Sequence, residues 1–352
     1  MGHGTLCRSR PLAHAALQPP ISLTFQLLLT GALLIGATHA SERTENWQTT
    51  LGRDHPLTGR IWDVAAARFI DPATLVERLA PSRFVLLGEK HDNPDHHRLQ
   101  AWLLRSMIAA GRRPAVGFEV FDIDQGPAID QHLAVAPTDA AGLADAVNWD
   151  RSGWPNWALY QPIAEVALEA GLPIVATNLP RDMARALGRK DLATVEAGTV
   201  TRLGLDQPLP PQIHAEMAAE IRDAHCGYAS EPTVEAMITV QRARDAQMAD
   251  SLAAAGQQDG AVLIAGSGHV RKDRGVLVSL ALRRPGATVA SLTFLEVRKG
   301  EIETGVYASD FGAGPFPFDY VWFTPRLDDL DPCAKFEKQL EGLRKEDEGV
   351  ND

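Results

Sequence analysis

Acidic residues are missing from the start of this 352-residue chain: none precedes Glu42. Arg8 and Arg10 stand ahead of a mostly apolar run, Ile21–Ala37, and Thr38-His39-Ala40 offers small residues suited to a cleavage site before Ser41. Ser22, Thr24, Gln26 and Thr30 interrupt the run, which falls short of the roughly 20 apolar residues a membrane span needs. The expectation is a signal peptide over residues 1–40, cleaved near Ala40-Ser41, and a periplasmic or secreted mature protein. Cysteine is scarce too. Cys7 lies before the apolar run, so no lipoprotein cysteine follows it, and only Cys226 and Cys333 remain. Two cysteines are too few for a disulfide-built scaffold, and their spacing does not say whether they meet. Basic residues are the minority. Removing residues 1–40 takes two arginines and no acids, moving the formal charge from −11 to −13. An acidic chain without a basic stripe excludes nucleic acid as a partner class. Also missing are a phosphate loop, a dinucleotide fingerprint, a His-Glu-x-x-His zinc helix and a Gly-x-Ser-x-Gly elbow. Internal repeats and low-complexity tracts are absent.

What is present is a globular composition, 45% apolar and 22% charged. One stretch stands out. Phe84-Val85-Leu86-Leu87 reads as a buried strand, ends on Gly88 and runs into Glu89, His91, Asp92, Asp95, His96 and His97. Asn93 then suits an N-cap and Pro94 the first helical position. The helix that follows puts Leu99, Trp102, Leu103 and Met107 on one face. His96 projects toward that apolar side, and His97 falls opposite, toward solvent. Before this stretch, Gly59–Asp63 reads as a short strand or turn and Pro72–Leu79 as a helix.

Ala115–Phe118 is a second apolar strand, ending on Glu119. Two successive strands that each deliver a carboxylate suggest a parallel sheet with a site along one edge. Trp149, Trp154, Trp157 and Tyr160 crowd the next segment, as a small core or as the lining of a flat apolar slot. Tyr160 opens a helix that Gly171 stops, and Leu172–Arg181 reads as a third strand, again ending in polar residues. From about residue 188 to 232 the pattern breaks into short helices and prolines, read as an inserted helical cap containing His225-Cys226. A long helix over Pro232–Ala255 carries Gln241 and Arg244 on its apolar stripe and Asp245 at its edge. Buried polar groups need partners, so these pair locally or face a polar site. Ala261–Ala265 is a fourth strand and empties into Gly266-Ser267-Gly268-His269. Val276–Leu282 then reads as a helix, Thr288–Val297 as a strand, Tyr320–Phe323 as a late strand or edge segment, and Lys335–Lys345 as a terminal helix.

If the strands are parallel neighbours, Glu89, His91, Glu119, Asn178 and His269 converge on one rim. Imidazoles with carboxylates suit a transition metal or general acid–base work. His96, His225, Gln241, Arg244 and Asp245 are supporting candidates.

The motifs LLGEKHDNPDHHRLQ, GFEVFD, WxxSGWxxWxLYxPI, PIVATNLPR, HC, QRARDAQMA and IAGSGHVRKDRG, in that order, resemble the ChaN-type haem-binding uptake family, grouped with the Tiki and TraB proteins and the erythromycin-esterase-like fold. The resemblance covers roughly residues 75–295, and DYVWFTPRxxxxDPC extends it. One departure is Gly275-Val276-Leu277, where Gly-Val-Pro is expected. The resemblance implies an α/β fold: a largely parallel central sheet flanked by helices, with an inserted helical cap. On that basis residues 41–74 form an N-terminal extension, 75–297 the core domain with the cap at about 188–232, and 298–352 a C-terminal extension. It implies haem or a related iron compound as ligand, bound in the bacterial envelope, with a tyrosine on the iron and two haems stacked between protomers. A homodimer and an outer-membrane or periplasmic uptake system are the corresponding partners. Tyr160 is the matching iron ligand, since a phenolate suits ferric iron, with Trp154 and Trp157 against the porphyrin. The Tiki branch implies an alternative, a metal-dependent hydrolase or peptidase. There a divalent metal ion sits on His91 and His269, with Glu89 or Glu119 as general base. The leader and the tryptophan-rich segment favour the binding role over catalysis.

Overall fold

The apolar run at Phe84 lies near the middle of an eight-stranded sheet in the computed structural model of the protein, which describes residues 1, 46–191, 195–312, 314–335, 337 and 341. The chain divides into two compact units, Met1–Arg43 and Thr44–Asp352, and the fold described is that of the second. The expected leader and its cleavage site lie outside the described residues, as does most of the expected terminal helix.

Eight strands, β1 (Ile61–Asp63), β2 (Arg68–Ile70), β3 (Phe84–Glu89), β4 (Ala115–Asp122), β5 (Ile174–Asn178), β6 (Ala261–Gly266), β7 (Val289–Glu296) and β8 (Tyr320–Thr324), lie in the order β2-β1-β8-β7-β3-β6-β4-β5. Every pairing from β8 to β5 is parallel, and only the β1–β2 hairpin and its join to β8 are antiparallel. The result is a single mixed, mostly parallel sheet flanked by helices, as the sequence implies. Tyr320–Thr324 is no edge segment. It pairs with β7 on one side and β1 on the other, so the segments set apart as N- and C-terminal extensions both enter the sheet.

The central strands are enclosed on both faces, which is why they read as continuous apolar runs. Alternation splits them. Val85 and Leu87 point into one core with Val116, Phe118, Val262 and Ile264, and Phe84 and Leu86 point into the other with Leu263 and Ala265. The first face is covered by α1 (Pro72–Leu79), α2 (Pro94–Ala109) and α3 (Gln161–Glu169), each with a proline in its first turn. The cap follows α4 (Arg181–Gly188). Its main helix, α5 (Pro211–Ala224), and the start of α6 (Glu231–Ala255) share a small core of Met217, Ala218, Ala229, Val234 and Ile238. The rest of α6 and α7 (Val276–Arg283) cover the second face through Met248, Leu252, Val276 and Leu280. Cys226, after α5, forms a disulfide with Cys333.

Candidate functional site

Three adjacent strands end together. β3 pairs with β6 so that Glu89 stands opposite Gly266, and β4 pairs with β6 through Phe118 and Ile264, which brings Glu119 beside the same turn. Beyond Gly266 a short turn, Ser267–Val270, presents His269. The carboxyl ends of parallel strands thereby deliver two acids and two imidazoles to one rim, where α/β folds place their ligands.

Each rim group has a defined partner. Glu89 Oε1 accepts from His91 Nδ1 at 2.6 Å, and Glu89 Oε2 is enclosed with no hydrogen-bond partner. Glu119 Oε2 accepts from the Gly266 backbone N–H at 2.7 Å, and Glu119 Oε1 lies 3.1 Å from His269 Nε2. His269 Nδ1 lies 2.6 Å from Asp245 Oδ1, with the Gln241 amide 3.1 Å from the same nitrogen. The polar groups on the stripe of α6 therefore face the rim.

Charge follows from this pairing. Burial alone pushes the His269 imidazole down, but Glu119 and Asp245 together raise its pKa to about 10. Burial likewise opposes the His91 cation, and Glu89 outweighs it, raising the pKa to about 9. Glu119 resists its burial because His269, His91 and the Gly266 N–H hold its carboxylate far below the usual range. Burial raises the pKa of Asp245. At neutral pH the rim is a set of compensated ion pairs.

Geometry separates the candidates. Glu89, His91, Glu119, His269, Gln241 and Asp245 come together. Asn178 is buried, and its side chain turns back to accept from the Leu179 N–H. His96 is fully buried, and its Nδ1 accepts from the Lys90 N–H while Nε2 bonds Thr324 Oγ1, a structural role for a neutral ring. His97 does not meet solvent. It is 1% exposed, because α2 is covered on that side by the aromatic loop: its Nε2 bonds the His91 carbonyl and its ring lies 4.4 Å from that of Tyr160. His225 bonds the Ile221 carbonyl, and Cys226 beside it is in the disulfide, not free.

Tyr160 and Trp157 also differ from expectation. Tyr160 is 0% exposed, with its hydroxyl 3.5 Å from Glu89 Oε1. Burial and the charges of Glu89 and Glu119 push its phenol far above the ordinary range, so it keeps its proton. In this arrangement it is a wall of the rim and not an open iron donor. Trp157 is packed with Phe121 and Trp149, its Nε1 donating to the Ala140 carbonyl. Trp154 is the indole at the rim, edge-on to His91 with ring centroids 4.9 Å apart. Among the described residues no group of three or more His, Cys, Asp or Glu is arranged to hold a metal ion.

Sequence reasoning passed over Asp122 and Arg181. The strand taken to end at Phe118 continues to Asp122, through a register shift against β5. Burial, with Asp124 nearby, raises the Asp122 pKa to about 6, and the charges of Arg181 and Arg244 oppose the rise. The signal was the acid closing GFEVFD and the arginine closing PIVATNLPR.

Comparison with known proteins gives a family match over residues 75–280, described as haem-binding uptake, Tiki superfamily, ChaN. Among solved structures, ChaN of Campylobacter jejuni, reported with cofacially bound haem, aligns at 20% identity and a TM-score of 0.58, covering 74% of this chain and 95% of that one. The type III effector HopBA1 aligns at 13% identity and a TM-score of 0.41, covering 72% and 92%. An erythromycin esterase mutant in its open conformation aligns at 15% and 0.38, covering 77% and 83%. No curated protein matches the sequence.

Proposed function

The chain belongs to the haem-binding uptake family of the Tiki superfamily, ChaN, and from that premise we propose that it binds haem or a related iron compound at the rim of β3, β4 and β6. One observation carries the assignment to this place. His91 is the rim imidazole open to solvent, with 38% of its side chain exposed, held by Glu89 on one nitrogen and flanked by Trp154. An indole edge beside an oriented imidazole suits a flat aromatic ligand with a metal at its centre. Haem iron, when bound, would take a nitrogen or oxygen donor, and His91 would supply it through Nε2 on giving up the proton there, with Glu89 on Nδ1. Tyr160, the ligand implied by family resemblance, would have to lose its proton as well and gain access past the Trp149–Trp157 loop.

Titration of the mature protein with ferric haemin tests this reading. A Soret shift is expected, altered by His91→Ala and left unchanged by Tyr160→Phe. The opposite pattern transfers the ligand role to Tyr160, and no shift in the wild type ends the haem reading.

A second reading, hydrolysis with Glu89 or Glu119 as base, is favoured by Glu89 Oε2, which has no hydrogen-bond partner within the protein. The commitment of both His269 ring nitrogens, one to Glu119 and the other to Asp245, disfavours it as a metal ligand. Chelator-sensitive hydrolysis lost in His91→Ala would establish it instead.

Export to the envelope belongs to the same proposal. The apolar N-terminal run supports it, as does the Cys226–Cys333 disulfide, since such bonds persist in oxidising compartments. Among the described residues no helix is long and apolar enough to cross a membrane. N-terminal sequencing of the protein from a periplasmic fraction is expected to begin at Ser41. A chain retained in the cytoplasm with Met1 intact defeats the assignment.

A further inference from the structure

Two guanidinium groups stand beside the rim, and the haem reading does not use them. Arg244 lies on α6 one turn after Gln241 and one residue before Asp245, both of which reach His269. Its Nε is enclosed without a hydrogen-bond partner. An enclosed, partnerless N–H is costly and marks a place where an acceptor belongs. Arg181 begins α4, and its Nη1 donates to the Arg151 carbonyl at 3.2 Å. Its Nη2 lies 3.8 Å from the point a Cβ on Gly153 would occupy, so the residue next to Trp154 leaves the guanidinium uncovered.

The two arginines share one neighbour of opposite sign. Both act on Asp122, at the end of β4. The remaining acids nearby are committed or exposed: Glu119 and Asp245 hold His269, Asp182 holds Arg185, and Asp124 is at the surface. Half-buried Asp122 thus feels the charge of both arginines.

Two glycines, Gly266 and Gly268, lie beside His91 and Gln241 and add no side chain of their own there. His91 rests against Gly266, its Cε1 3.0 Å from where a Cβ would stand, and the Gln241 amide lies 3.9 Å from the same point on Gly268. Arg181, Gly153, Trp154, His91 and Gly266 therefore follow one another along the rim, with Arg244 on the helix beside it.

We propose that Arg181 and Arg244 form a carboxylate-binding subsite at this rim, which recognises the acidic side chains of a flat macrocyclic ligand while Trp154 and His91 meet its aromatic body. Guanidinium is suited to the task because its planar donors match a carboxylate two at a time. The inference rests on the haem reading and adds to it the part of the ligand that is read: the propionate groups.

Haemin and haemin dimethyl ester, which has the same ring and iron but no free carboxylates, separate the two ideas. The full-length mature protein is titrated with each, alongside Arg181→Gln, Arg244→Gln and the double variant, with thermal melts confirming that the variants fold. The wild type is expected to bind haemin at least about tenfold more tightly than the diester, the scale of one charge-assisted hydrogen bond. In the double variant the preference should collapse to within about threefold, by loss of haemin affinity and with diester binding unchanged. Arg244→Lys, which keeps the charge and loses the fork, should retain part of the preference. Equal binding of both ligands by the wild type, or a preference that survives the double substitution, overturns the subsite and leaves haem binding standing. If neither porphyrin binds, the haem reading and the subsite fall together.

Discussion

Glu89 holds His91 by Nδ1 at 2.6 Å and keeps its own second oxygen enclosed. The pair decides the charge of the rim's exposed face. Burial favours the neutral ring, and Glu89 is the largest influence opposing it, so that His91 titrates at about 9. Glu89→Gln removes that charge and leaves the burial. The His91 pKa is then expected to fall by more than one unit, toward its ordinary 6.5, in an NMR titration of the ring protons of ligand-free protein. A ring still titrating near 9 would pass the stabilising role to Glu119.

The same charges make stability depend on pH. His91 and His269 have folded pKa values of about 9 and about 10, above the 6.5 of the unfolded chain. Their contribution is fully present below pH 6.5 and is lost as pH rises through 9 and 10. Glu119 has the opposite sign: its depressed pKa gives stability present above the ordinary carboxylate range and lost as pH falls through the folded value. Thermal melts are expected to show Tm declining between pH 6.5 and 10, and His269→Gln should flatten that alkaline decline even though it lowers Tm overall. A wild-type Tm that stays level across the interval contradicts the cationic state of His269.

Much of this site was legible in the sequence, for a simple reason. Parallel strands buried on both faces must be apolar along their length, so the first polar residue after each run marks the rim. Glu89 and Glu119 were found that way, and His269 follows the Gly266-Ser267-Gly268 turn at the end of the fourth run. Helical phase put Gln241 on the buried stripe of its helix and Asp245 at its edge, and left open whether they paired locally or faced a polar site. What failed was the assumption that an opposite helical face meets solvent: His97 is covered by Tyr160, from a loop sixty residues on, and single-helix periodicity carries no information about such a neighbour. The aromatic loop failed likewise. Trp157 and Tyr160 have donor groups that find partners inside, so composition did not distinguish a core from a ligand slot. The Cys226–Cys333 pairing needed the fold, because the sequence separation of 107 residues leaves their distance open.

That disulfide yields a stability prediction. It joins the turn after α5 to the C-terminal segment, where Lys335 pairs with Asp328 and reaches Asp92 in the rim loop. Opening so long a loop frees the unfolded chain, and losing the bond is expected to cost about 2–4 kcal/mol. Urea unfolding with and without dithiothreitol measures the difference, and Cys226→Ser should lower the midpoint to the reduced wild-type value and be insensitive to reductant. A wild-type midpoint indifferent to reductant would mean that the bond does not form in solution.

Two glycines behind the rim separate stability from binding. Gly275 has φ +84°, and a Cβ there would stand 2.5 Å from the His269 carbonyl oxygen, which is backbone and must move as a whole. Gly275→Ala combines left-handed strain with that clash, and a loss of about 1–3 kcal/mol is expected. Gly266 has φ −60°, which any residue accepts, and its nearest obstacle is the His91 ring at 3.0 Å. A contact at 3.0 Å needs the His91 ring to give by only a few tenths of an ångström, which leaves its bond to Glu89 in place. Gly266→Ala is therefore expected to unfold in urea within about 1 kcal/mol of the wild type, the usual span for a substitution without backbone strain. It should nevertheless weaken haemin binding, because the His91 ring is displaced from its position against Trp154. Loss of stability in Gly266→Ala with haemin affinity unchanged would reverse the assignment, making the His91 position a packing requirement and not a binding one.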